Sequence, residues 1–169
     1  MSRNALIAVA AATLLLAGCS SPASDDLRLV DTKSPVQLLR NEAVDRVDPL
    51  VVDGVRKSSD TSFPCVTGDG NPGGLIRQWK SSTDLAVAAG LDEREIAAGL
   101  VDTFLEQGWA AETADSSGLE VTRLTSETSV ATIEVSAADE TTSALIRVVA
   151  IGPCVLTDGP DSAEVTTLG

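Results

Sequence analysis

The chain has no histidine and no tyrosine, two Trp, two Phe and one Met. Without histidine neither a Ser-His-Asp triad nor a Cys-His pair can be assembled, and His-based zinc sites are excluded with them. So few aromatic rings leave little for a sugar to stack on. That weighs against a hydrolase built on paired carboxylates, although such pairs are bound to occur among 25 Asp and Glu. Basic residues are scarce too: 12 Lys and Arg against those acids give a formal net charge of −13. This balance disfavours nucleic acid as a partner, because affinity for a phosphate backbone comes from clustered cations. The acidity reads as a means of solubility rather than as a cation site. Long apolar runs are missing as well. The longest, Ala5 to Ala17, would cover about 20 Å as a helix against a hydrocarbon core of about 30 Å, too short for a permanent span.

That run follows a short leader whose only side-chain charge is Arg3, the layout of a secretory signal. It closes on Leu16-Ala17-Gly18-Cys19. A Cys behind two small residues and a Leu resembles the lipobox of bacterial lipoproteins, and the resemblance covers about the first twenty residues. It implies that the Cys19 sulfur carries a diacylglyceryl group and that residues 1–18 are removed as a signal peptide, leaving Cys19 first in the mature chain. Two acyl chains, at about 0.8 kcal/mol per buried methylene, suffice for stable anchoring. The implied location is the extracytoplasmic face of the cell membrane, with the membrane itself as the first partner.

With Cys19 assigned to lipid, Cys65 and Cys154 remain, an even pair in an oxidising compartment, and they read as a disulfide. Closing a loop of about 90 residues removes on the order of 4.6 kcal/mol of denatured-state freedom in the chain-entropy picture.

After the signal, residues 19–33 read as a flexible tether, 34–155 as one α+β domain and 156–169 as a loose tail. Ser34-Pro35-Val36-Gln37 has the form of a helix start, with Ser at the cap and Pro at the first helical position. From there Val36, Leu39, Ala43, Val47 and Leu50 recur at spacings of three or four and share one face. Pro49 requires the helix either to end near Arg46 to Asp48 or to restart with Asp48 as a cap. Lys57 to Gly74, with Pro64, Cys65 and Pro72, reads as a long loop. Its Gly-rich part lacks both the Gly-Lys-Ser/Thr ending of a phosphate cradle and the spaced oxygens of a calcium loop, so no cofactor or metal is expected there. Leu75 to Lys80 reads as the first strand, continuing to Val87 after a break at Ser81 to Asp84. Asp92 with Glu95 forms a capping-box-like pair. Ile96, Leu100, Val101, Phe104 and Leu105 make one apolar face, and Gly108 stands where a Schellman stop belongs, with Trp109 placed to touch Phe104. The period then changes to two, and Trp109 to Thr113, Leu119 to Leu124, Val130 to Val135 and Ala144 to Ile151 read as a meander.

The expected architecture has two layers: helices packed on one face of an antiparallel meander, with one disulfide. In layout it resembles small actinobacterial lipoproteins whose functions are not established. No reaction centre is legible. A Ser-Lys pair at Lys80-Ser81-Ser82 fails because neighbours in a strand point to opposite faces. The favoured function is a lipid-anchored, non-catalytic binding or accessory module of the cell envelope. A carrier of apolar ligands is the alternative, with a carboxylate-dependent envelope hydrolase behind it. If a ligand binds, the expected surface is the Gly68 to Gly74 loop beside Arg77 and Trp79, with the Trp79 ring itself, like that of Trp109, read as core rather than as a ligand platform.

Overall fold

Residues 27–66, 71, 74–116, 119–140 and 143–158 are described by a computed structural model. Cys19, the signal segment, most of the Gly-rich loop and residues 159–169 lie outside the described residues. The elements run α1 (Leu29–Asp45), a 3-10 turn (Pro49–Val51), β1 (Val52–Pro64), β2 (Ile76–Val87), α2 (Glu93–Leu105), β3 (Ala110–Ser116), β4 (Leu119–Thr125), β5 (Thr132–Glu140), β6 (Ser143–Ile151) and β7 (Val155–Leu156). All strand pairs are antiparallel, in the order β1-β2-β6-β5-β4-β3, with β7 added beside β2. β3 to β6 form the expected meander.

Strand parity decides where the core sits. Trp79, Leu85 and Val87 of β2 share a face with Ile146, Val148 and Ala150 of β6 and with Ile133 and Val135 of β5. Onto these pack Leu29, Val36, Leu39 and Ala43 of α1 and Ala97, Leu100 and Phe104 of α2, in one buried cluster. Both helices therefore cover the same face of the sheet, the expected two-layer α+β arrangement. α1 sits close over the end of β6: a Cβ on Gly152 would stand 3.0 Å from Val36 Cγ2.

Several local expectations are corrected. α1 begins at Leu29, not at Ser34, and Pro35 lies inside it. Leu29, Thr32, Val36, Leu39 and Ala43 are all buried at helical spacing across the proline, so packing carries the helix through a residue that removes one backbone bond. The stretch read as tether thus contains the first turn of α1. The helix ends at Asp45, and Asp48 then accepts a bond from Leu50 N at 2.9 Å to cap the 3-10 turn. Leu50 leaves the apolar face and is 84% exposed. Residues 57–64 are strand rather than loop: β1 is exposed along nearly its whole length, an edge held by its backbone ladder to β2 and kinked by two register shifts, one at Gly54 (φ 142°). β2 runs without the break expected at Ser81 to Asp84. The fold also continues past residue 155, because β7 includes Leu156 and Thr157 N donates to Leu75 O at 2.8 Å.

Cys65 and Cys154 are joined, with Cα atoms 6.2 Å apart, inside the usual range for a disulfide. The bridge ties the end of β1 to the segment between β6 and β7. Asn71 closes the β1–β2 connection beside it: its side-chain amide donates to Cys65 O and Ile76 O at 3.1 and 2.6 Å and its Oδ1 accepts from Ile76 N at 2.9 Å.

Candidate functional site

α2 is fixed at both ends by its own sequence. The Asp92 carboxylate accepts from Arg94 N and Glu95 N at 2.8 and 3.4 Å, a cap worth about 1 kcal/mol. At the other end Gly108 N donates to Leu105 O and Trp109 N to Phe104 O, the paired bonds of a Schellman stop, with Gly108 at φ 84°. The Trp109 ring then meets Phe104 edge-on, 5.2 Å between centroids. Arg46 at the end of α1 stacks its guanidinium on the other ring contact of Phe104, 4.3 Å from the centroid, and donates to Gln107 at 2.7 Å, so the two helices are tied tail to tail.

So held, α2 packs mainly on β5 and β6 and touches the inner face of β3 and β4 only lightly. Small side chains keep that space open. The result is a groove of about 560 Å³, within the ordinary range of ligand sites. Its apolar part comes from Ala97, Ala98 and Val101 of α2 and from Ala111, Val135 and Ala137 of the strands. Arg94, Asp102, Asp115 and Glu120 supply charge around it. Beside that apolar part the hydroxyls of Thr113 and Thr122 bond to each other at 3.2 Å. Hydroxyls and charges around an apolar floor suit binding by shape with a few orienting polar contacts. Among the described residues no group of three or more His, Cys, Asp or Glu side chains converges as a metal site.

The residues singled out from sequence do not form this groove. Trp79 is completely buried, on the core parity of β2, as a core ring rather than a ligand platform. Arg77 is half-buried and turned to β1, its Nη2 donating to Ser62 O at 2.9 Å and to Ser62 Oγ at 3.2 Å. Only Asn71 and Gly74 of the Gly-rich loop lie among the described residues, and Asn71 is engaged in closing the connection. Arg77 and Trp79 are therefore both engaged within the fold, and most of the loop expected to form a ligand surface beside them lies outside the described residues. Lys80 and Ser81 are separated by the sheet: Ser81 faces the core fully buried, while Lys80 lies over the Phe63 ring at 5.7 Å on the opposite face.

No protein family, curated protein or solved structure matches this chain. Sequence reasoning missed the groove because it arises from missing bulk at Ala97, Ala98 and Ala111. The signal that was there is the adjacent pair Ala97-Ala98 at the edge of the buried stripe of α2, facing strands with Ala and Thr at inward positions.

Proposed function

We propose that this chain is a lipid-anchored, extracytoplasmic binding module of the cell envelope whose ligand seat is the groove between α2 and β3–β5. The observation that carries the reading is the groove itself, a concave space of about 560 Å³ beside a helix locked at both ends. Preorganised concavity with an apolar floor is what a binding site needs, since little ordering cost is then left for association. The export signal and the Leu16-Ala17-Gly18-Cys19 segment support a place at the membrane surface, where confinement raises the effective concentration toward neighbours. The Cys65–Cys154 bridge suits an oxidising compartment.

A photo-crosslinking side chain at Val101, activated in intact cells, tests the assignment. The expected result is a discrete adduct that disappears when Ala98→Trp fills the groove with the fold retained. Adducts unchanged by Ala98→Trp would remove the groove from the function. A carrier role is the second reading, favoured by the apolar floor, and identification of the adduct as lipid rather than protein would select it. Hydrolysis of envelope glycan that vanishes on changing one groove carboxylate, Asp102→Asn for instance, would overturn the non-enzymatic reading.

A further inference from the structure

α1 also borders a trough on its other side, against the exposed edge strand. Three rungs define it, each pairing the inward face of β2 with β1, and the first and third reach α1 as well. In the first, Trp79 pairs with Ser62 across the strands, and the Lys33 ammonium lies 4.8 Å from the Trp79 ring centroid. In the second, Ser81 pairs with Asp60. In the third, Arg40 Nη1 donates to Thr83 Oγ1 at 2.7 Å, and that oxygen is 3.1 Å from Ser58 Oγ. One step further the chemistry changes on all three elements at once, to Val44 on α1, Leu85 on β2 and Val55 on β1. These line a cavity of about 320 Å³ with Val47 and Val52, and Asp45 is the one charged residue on its wall.

The polar end is built from donors that lack acceptors. Arg40 Nε, Trp79 Nε1 and Ser81 Oγ are buried and have no hydrogen-bond partner, and Trp79 and Ser81 are completely buried as residues. Buried polar groups are nearly always served by something, and two of these three can only donate. Lys33 and Arg40 sit seven residues apart on one helix stripe, and neither joins an ion pair among the described residues, in a chain where acids outnumber bases two to one. Asp60 is the carboxylate facing these rungs, and it stands on the exposed outer wall. The inner wall is positive and rich in N–H groups.

A positive, donor-rich end joined to an apolar end specifies one kind of molecule. We propose that the trough between α1 and β1 binds an anionic amphiphile, its carboxylate or phosphate head between Lys33 and Arg40 and its hydrocarbon chain along Val44, Val55 and Leu85. The head supplies acceptors to the orphaned donors, and the chain covers Val55, which is 60% exposed. This site is separate from the groove under α2 and stands or falls independently of it.

The test titrates the exported chain carrying Cys19→Ser, which leaves no acyl anchor to compete, with four ten-carbon probes: decanoate, decyl phosphate, decanol and decyltrimethylammonium. Trp109→Phe leaves Trp79 as the reporting fluorophore. Decanoate or decyl phosphate should shift Trp79 emission and bind at least tenfold more tightly than decanol or the cation, and the stronger of the two identifies the head. Lys33→Gln with Arg40→Gln should abolish that preference while leaving decanol affinity unchanged. Val55→Asp, at an exposed position, should weaken every probe, and Ala98→Trp should change nothing. Equal affinity for decanoate and decanol, retention of the preference in the double variant, or no binding by any probe would overturn the proposal, leaving ordered water as the partner of the buried donors.

Discussion

The two helices reach the same sheet face by opposite means. α2 carries its instructions in its own residues: an Asp cap bonded to two backbone amides, a glycine stop and a Phe104–Trp109 contact across that stop. α1 has no side-chain cap at Arg28, contains Pro35 in its second turn, and is held by a buried stripe from Leu29 to Ala43. Local chemistry defines one helix and tertiary burial defines the other. Helices of the second kind are stable only while their sheet is.

The largest way to break that contrast is the disulfide, which stabilises the α1 side of the sheet. Replacing both Cys65 and Cys154 by Ser should cost on the order of 4 to 5 kcal/mol, read as a fall in the urea midpoint at constant slope. A smaller loss would mean that the bridge constrains a denatured state already compact. Next comes Leu29→Ala, which empties a fully buried position in the first turn of α1 and should cost about 2 to 5 kcal/mol. An effect below about 1 kcal/mol would show that the first turn of α1 does not depend on burial.

Pro35→Ala acts in the other direction. Restoring an amide inside α1 recovers part of the roughly 3 kcal/mol that an interior proline forfeits, less about 1 kcal/mol for the freer unfolded chain, so a net gain of about 1 to 2 kcal/mol is expected in thermal unfolding. Destabilisation by this change would show that α1 needs the proline bend. The smallest effect is on pH. Arg28 donates to the Asp31 carboxylate at 3.1 and 3.2 Å and holds it below its ordinary value of 3.8. A depressed carboxyl contributes stability above its unfolded value and loses it as pH falls through the folded one, so the contribution fades below about pH 4. The pair lies at the surface and the effect is slight. Arg28→Ala should raise the Asp31 midpoint in a carboxyl NMR titration, and an unmoved midpoint would remove the pair from the first turn of α1.

What was legible in the sequence follows the same division. Asp92, Gly108 and Trp109 announce α2 because the signals act within one turn of the residues that carry them. Ser34-Pro35 imitates a start that the fold does not use, since Leu29 and Thr32 are drawn into the core by contacts distant in sequence. β1 was invisible to periodicity because an edge strand exposed on both faces has no alternation to show. Trp79 was legible as core, and its shared parity with Leu85 and Val87 shows why: all three lie on the inward face of β2. Neither groove could be read, since one is a lack of bulk around α2 and the other is a polarity change spread over α1, β1 and β2.

The proposed placement of this fold at the outer membrane surface rests on Cys19, and the intact mass of the protein extracted from its native membranes tests it most directly. The account predicts a chain beginning at Cys19 with the mass of a diacylglyceryl group on its sulfur, and loss of both that mass and membrane retention in Cys19→Ala. A chain recovered with a free Cys19 thiol, or retained on membranes equally well after Cys19→Ala, would contradict it.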